Sequence, residues 1–184
     1  MAAKDADLMH RWTTGDDLAF EQLVTQWQPA VTRLLGRLVG HSETAADLSQ
    51  EVFLRVYQAR NRYAENGAFS SWLYKIALNV ARDHSRRRLT VSLPEQDSLA
   101  AGSDPAWDSM NRETAVMLRE ALADLPAQQR EVLVLRHSEN MNFEQISRLL
   151  DVPASTLKSR FSTALRRLRV TLRDLADGEE GGHP

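Results

Sequence analysis

The sequence predicts an all-α protein made of two small helical domains, and three observations carry that prediction. Apolar residues recur at helical spacing through the structured stretches, and none alternates with period two long enough to argue a strand. Residues able to cap helices stand where the periodic runs begin. Between them, residues 89–111 break every pattern: the stretch holds Pro94, Gly102 and Pro105, four acidic residues and no Lys or Arg. Such a composition reads as a linker. It divides the chain into an N-terminal domain over 1–88 and a C-terminal one over 112–176. The tail 177–184, Asp177-Gly-Glu-Glu-Gly-Gly-His-Pro184, is expected to be disordered.

Taken in order, Asp16 after Gly15 can cap a helix whose apolar stripe is Phe20, Leu23, Val24, Trp27, Val31, Leu34, Leu35 and Leu38. Pro29 lies within that stripe and predicts a bend or break. Ser42 can cap the next helix, buried on Ala45, Leu48, Val52 and Val56. Ser70 can cap a third, buried on Leu73, Ile76, Ala77 and Val80. In the C-terminal domain, Leu118, Ala121, Leu122 and Leu125 end at Pro126, which can open the following helix at its first position.

Asn142, with Gln145 three residues on, forms a variant of the capping box. The short helix it opens is buried on Phe143, Ile146, Leu149 and Leu150. After the break Asp151-Val-Pro-Ala, Ser155 can cap a longer helix with the inner stripe Leu157, Phe161, Ala164, Leu165, Leu168 and Leu172. Short helix, tight turn and longer helix make a helix-turn-helix.

Three faces are left for function. The net charge is −2, from 23 basic against 25 acidic residues, so basicity here is local. Clustered basic faces on a near-neutral chain are the footprint of nucleic-acid binding. The helix from Ser155 presents Ser155, Thr156, Lys158, Ser159, Ser162, Thr163 and Arg166 outward, and from Lys158 to Arg173 it carries six basic residues and no acid. Small hydroxyl side chains let a helix sit deep in a major groove while cations meet bases or phosphates. The helix from Ser70 shows Trp72, Lys75, Asn79, Arg82 and Arg86 opposite its buried stripe, an aromatic and a ladder of polar groups suited to unpaired bases and their backbone. The helix from Ser42 shows Asp47, Gln50, Glu51 and Leu54. That acidic stripe suits a basic protein surface, not DNA.

Other classes find little support. The histidines His10, His41, His84, His137 and His183 match no ligand spacing, and there is no cysteine. No Gly-rich phosphate loop occurs. We therefore expect no enzyme, no cofactor and no metal. The polar start Met1-Ala-Ala-Lys-Asp-Ala-Asp is unlike a signal peptide. No apolar run approaches the ~20 residues of a membrane helix, so the expectation is a soluble, cytoplasmic protein without membrane insertion.

Together these residues resemble the extracytoplasmic-function (ECF) group of sigma factors of bacterial RNA polymerase, across about residues 5–172. The resemblance rests on Gly15-Asp-Asp-Leu-Ala-Phe20, Ala46-Asp-Leu-Ser-Gln-Glu-Val-Phe-Leu-Arg-Val-Tyr57, Phe69-Ser-Ser-Trp-Leu-Tyr-Lys-Ile-Ala-Leu-Asn-Val-Ala-Arg-Asp83, and Leu125-Pro-Ala-Gln-Gln-Arg-Glu-Val-Leu133 with the helix-turn-helix. It implies region 2-like and region 4-like domains. Asp47, Gln50, Glu51 and Leu54 would then dock on core polymerase. Arg62, Phe69, Ser70, Trp72, Lys75, Asn79, Arg82 and Arg86 would meet the −10 promoter element. Ser155, Thr156, Lys158, Ser159, Arg160, Ser162, Thr163 and Arg166 would meet the −35 element. Ser162 and Thr163 stand where many relatives carry a bulkier residue and an arginine, so no particular base is assigned to them. The partners implied are core polymerase, promoter DNA and an anti-sigma factor. The main alternative is a helix-turn-helix regulator of closed duplex DNA, which needs neither the acidic stripe nor the Trp72 face. A purely protein-binding adaptor is disfavoured by the six-cation helix.

Overall fold

The computed structural model describes residues 2–40, 42–63, 68–90 and 112–180, and every regular element among them is helical. The chain divides into two compact units, Met1–Leu35 with Glu43–Glu95, and Gly36–Ser42 with Gln96–Pro184.

The first unit opens on α1 (Ala2–Thr13), a helix that the sequence reading did not single out. Leu8, Met9 and Trp12 bury it, at i, i+1 and i+4. Asp5, also buried, accepts hydrogen bonds from Gln26 Nε2 at 2.5 Å and Trp27 Nε1 at 3.4 Å, tying α1 to the next helix. Gly15, at φ +119°, lets the chain turn where a side chain would be strained. Asp16 then caps α2 (Asp17–Val39) as expected, its Oδ1 accepting from Ala19 N at 3.3 Å. On the other carboxylate oxygen, Arg11 donates from Nη2 at 2.6 Å and Nε at 2.9 Å. Leu23, Trp27, Val31, Leu34, Leu35 and Leu38 are buried, with Phe20 and Val24 half-buried. Pro29 does not break the helix. It lacks one N–H donor, but Pro29 and Thr25, whose carbonyl loses that donor, are both exposed residues.

Next comes α3 (Ser42–Gln58), buried on Ala45, Leu48, Val52 and Val56 as expected and also on Phe53. A 3-10 turn, Arg60–Arg62, leads toward α4 (Phe69–Thr90). Ser70 is not the cap of α4. Ala68 O accepts from Ser71 N and Trp72 N, so Ala68 holds the cap position and Ser70 lies within the first turn. Leu73, Tyr74, Ala77, Leu78, Val80 and Ala81 face the core, with Ile76 half-buried. Each such fully buried leucine contributes about 1.5–3 kcal/mol relative to exposure. Since α4 runs to Thr90, the helix extends two residues past the expected domain boundary; the rest of the expected linker, 91–111, lies outside the described residues.

The second unit contains α5 (Arg112–Ala123), α6 (Ala127–His137), α7 (Phe143–Leu150) and α8 (Ala154–Glu180). Its core joins Leu122, Leu125, Leu133 and Ala164, with Leu118, Phe161 and Leu168 packed against them. Pro126 holds the N-cap of α6 instead of its first helical position, at ψ 138°. Arg130 closes the turn before it, donating to Ala123 O and Leu125 O at the end of α5. Burial lowers the pKa of Arg130 against the opposing pull of Asp124 and Glu131. That geometry gives a physical reason for arginine in the run Leu125-Pro-Ala-Gln-Gln-Arg130.

The capping box is present: Asn142 caps α7 and pairs reciprocally with Gln145. Asp151 ends α7 in the left-handed region at φ 55°, which the short Asp side chain tolerates better than most. Three residues separate α7 from α8, completing the helix-turn-helix. Ser155 does not cap α8. Leu157 N bonds to Pro153 O, which places the cap at Pro153 and Ser155 inside the first turn. Leu157 and Ala164 are buried and Phe161, Leu168 and Leu172 half-buried, but Leu165 is exposed, at the edge of the expected stripe. The tail also differs from expectation: α8 carries through Asp177–Glu180, and residues 181–184 lie outside the described ones.

Candidate nucleic-acid interface

On α4, Lys75, Asn79, Arg82 and Arg86 are all exposed, at i, i+4, i+7 and i+11 along one side of the helix. Trp72 begins that side but is half-buried, its ring 5.2 Å from Tyr63 and 6.1 Å from Phe69. Phe69 is not available to a ligand. It is 2% exposed, packed edge-on to Trp27 at 5.9 Å, and it anchors the start of α4 in the core. Ser70 is half-buried in the first turn, and Arg62 is exposed at the end of the 3-10 turn. Tyr63 was missed by the sequence reading. It brackets Trp72 where the chain enters 64–67, which lie outside the described residues. An aromatic beside a loop of Asn, Gly and charged residues was the available signal.

On α3, Asp47 and Gln50 are exposed and Leu54 is 56% exposed. Glu51 is half-buried and already engaged: Arg55 Nη2 lies 2.5 Å from its Oε1, and Arg87 Nη2 lies 3.7 Å from the same atom. Arg55 also donates from Nη1 to Asp83 Oδ2 at 3.0 Å, and Arg86 donates to Asp83 Oδ1 at 3.1 Å. Burial works against the Arg55 guanidinium, yet the hydrogen bonds and charges of Asp83 and Glu51 outweigh it and raise its pKa above the ordinary arginine value. Tyr57 extends the stripe. It is exposed three residues beyond Leu54 and packs edge-on to Phe20 at 5.4 Å, a spacing the sequence already offered.

On α8, Ser155, Thr156, Lys158, Ser159, Ser162 and Arg166 are exposed, while Arg160 and Thr163 are half-buried. Phe143, half-buried at the start of α7, packs edge-on to Phe161 at 5.6 Å. The Lys158 ammonium sits 6.0 Å from the Phe143 ring centre, and the Arg136 guanidinium 5.8 Å. This ring gathers cations beside the second helix of the motif. Among the described residues no group of His, Asp and Glu could hold a metal, and no helix is long and apolar enough to cross a membrane.

A helical chain with a helix-turn-helix in one unit, an exposed cationic face in each and an acidic face in the first fits the class of DNA-binding proteins that also dock on protein. Comparison with known proteins narrows it. The Sigma-70 region 2 family matches residues 23–90, and the Sigma-70 region 4 family matches residues 121–170. The chain is 30% identical over 173 residues to the ECF RNA polymerase sigma factor SigW of Bacillus subtilis, covering 88% of this chain and 92% of that one. It is 29% identical to the RNA polymerase sigma-H factor of Pseudomonas aeruginosa, covering 94% and 95%. In fold it resembles the sigma factor RpoE from Bartonella quintana, solved with the anti-sigma factor NepR, with a TM-score of 0.63 at 22% identity over 84% of this chain and 96% of that one. The chain belongs to the ECF sigma factors, regulatory subunits of bacterial RNA polymerase.

Proposed function

We propose that the chain docks on core RNA polymerase through Asp47, Gln50, Glu51 and Leu54, opens and reads the −10 element with α4, and reads the −35 element with α8. The observation that carries this reading is the pair of cationic faces, Lys75–Arg86 on α4 and Lys158–Arg166 on α8, one in each unit and both solvent-exposed. One face adjoins an aromatic cluster, which suits unpaired bases; the other follows a helix-turn-helix, which suits closed duplex. A sigma factor needs both kinds of contact and a regulator of closed duplex only the second, so the α4 face favours the former.

The DNA contacts assigned are Arg62, Trp72, Lys75, Asn79, Arg82 and Arg86 upstream of and along α4, and Ser155, Thr156, Lys158, Ser159, Arg160, Ser162, Thr163 and Arg166 on α8. Phe69 supports the first set from the core, and Ser70 flanks it. The factor would act in the cytoplasm beside the polymerase. An anti-sigma partner is part of this reading, by analogy with the complex containing NepR. The test is reconstitution: purified chain plus core polymerase should start transcripts at a defined promoter that core alone ignores. Binding to that promoter without core, and no gain in initiation with it, would return the reading to a simple duplex regulator.

A further inference from the structure

We propose that Arg55 is a positioning residue for polymerase docking, fixing the Glu51 carboxylate from one turn away on α3 while it is itself fixed by Asp83 on α4. The inference rests on the assignment of Asp47, Gln50 and Glu51 as docking groups. Its basis is a bridge between two helices: Arg55 Nη2 to Glu51 Oε1 at 2.5 Å and Arg55 Nη1 to Asp83 Oδ2 at 3.0 Å. All three side chains are about one-third exposed, 32%, 31% and 30% in the order Arg55, Glu51, Asp83.

An i,i+4 pair on one helix holds its partners loosely. The planar guanidinium changes that, because its two terminal nitrogens are committed to acids on different helices, and rotation to free one strains the other. Both contacts to Glu51, from Arg55 and from Arg87, fall on Oε1. Among the described residues the Glu51 carboxylate takes its hydrogen bond on Oε1 and none on Oε2, which remains for a partner's donor. A long glutamate side chain ordered before docking loses less freedom on docking. Arg55 also weakens the negative potential that a basic partner meets. At this exposure water screens that effect, whereas the geometry imposed on the carboxylate is not screened.

The experiment is a double-mutant cycle on binding of the full chain to core polymerase without DNA, with folding of each variant checked by thermal unfolding. Glu51→Gln should weaken binding. Arg55→Met should weaken it by roughly tenfold in the otherwise native chain and cause no further loss in the Glu51→Gln chain, since it acts only through that carboxylate. Arg55→Lys, which keeps the charge but not the two-armed geometry, should restore little. Asp83→Asn, which leaves α3 untouched, should give a smaller loss that also vanishes in the Glu51→Gln chain, and it serves if Arg55→Met fails to fold. Additive losses would make Arg55 a direct contact or a general stabiliser, and tighter binding by Arg55→Met would make it a mask; either overturns the proposal. Glu51→Gln without effect would remove the docking assignment and this inference together, whereas a Glu51→Gln defect with additive Arg55 losses removes only the inference.

Discussion

Asn142 and Gln145 hold each other's backbone: Asn142 Oδ1 accepts from Gln145 N, and Gln145 Oε1 accepts from Asn142 N, both at 2.8 Å. Two donors that a helix start leaves unpaired are satisfied at once, which fixes where α7 begins. Because only three residues link α7 to α8, this box also sets the base from which the second helix of the motif projects. Asn142→Ala should cost about 1 kcal/mol of stability in the C-terminal unit. The expected observation is a lower denaturant midpoint at unchanged slope. An unmoved midpoint would mean that tertiary packing alone fixes the start of α7.

Asp16 should make the N-terminal unit acid-sensitive. Its carboxyl is held below the ordinary value of 3.8 first by the hydrogen bond from Arg11, against a smaller opposing effect of desolvation. A carboxyl depressed in the folded state adds stability that is fully present above its unfolded pKa and lost as pH falls through the folded one. The window therefore opens below about pH 4. Asp16→Asn keeps a capping side chain and removes the charge. Its stability should fall less steeply than the native chain's in that window, as read from urea midpoints at several pH values. Parallel acid profiles would show that the Arg11 pair adds nothing.

Much of this was legible from periodicity. The stripes of α2 and α3 are buried nearly residue for residue because a helix on a core must bury one side, and that side repeats in the sequence. Three kinds of feature were not legible. The helix α1 was not legible because its mostly polar half, Lys4 to Asp7, leaves a stripe of only Leu8, Met9 and Trp12. Ser70 and Ser155 have capping chemistry but sit two residues past the caps of their helices, since Ala68 and Pro153 supply the cap carbonyls instead. Phe69 opens the motif that the resemblance sets against the −10 element, yet its apolar ring is worth more against Trp27 than in water. The ion bridge from Arg55 to Asp83 spans 28 residues, and no local pattern announces such a pairing.

Core binding should depend on the acidic stripe of α3. Asp47 is exposed and Glu51 is held in place, within about one turn of each other. Asp47→Lys/Glu51→Lys should weaken affinity for core polymerase by a few kcal/mol if the contacts are desolvated. Far-UV circular dichroism should show an unchanged helical content. A folded double variant that binds core as tightly as the native chain would remove this surface from the interface.

Promoter opening should depend on the exposed side of α4. Extruding a base costs a few kcal/mol, and stacking with backbone contacts returns about 1–3 kcal/mol per base. Lys75→Ala or Asn79→Ala should therefore impair open-complex formation on duplex DNA far more than on a pre-melted bubble template. Trp72→Ala should lower stability as well, because its ring packs on Tyr63 and Phe69. Equal defects on both templates for the Lys75 and Asn79 variants would assign them to folding or to core binding.

Upstream recognition should divide between specificity and charge along α8. Lys158 and Ser159 lie in its second turn, exposed, with the Lys158 ammonium gathered over the Phe143 ring; Arg166 lies two turns further on, also exposed. In a helix-turn-helix the early residues of the second helix reach base edges, and later ones pass over the phosphate backbone. Lys158→Ala should then cost about 1–3 kcal/mol at the preferred site and relax the preference at one −35 position. Arg166→Ala should instead weaken every sequence alike and reduce the salt slope of binding by about one. Both are read in the holoenzyme, by titrating promoter variants at several salt concentrations. If Arg166→Ala changes base preference while Lys158→Ala changes only the salt slope, α8 enters the groove in the opposite sense from this assignment.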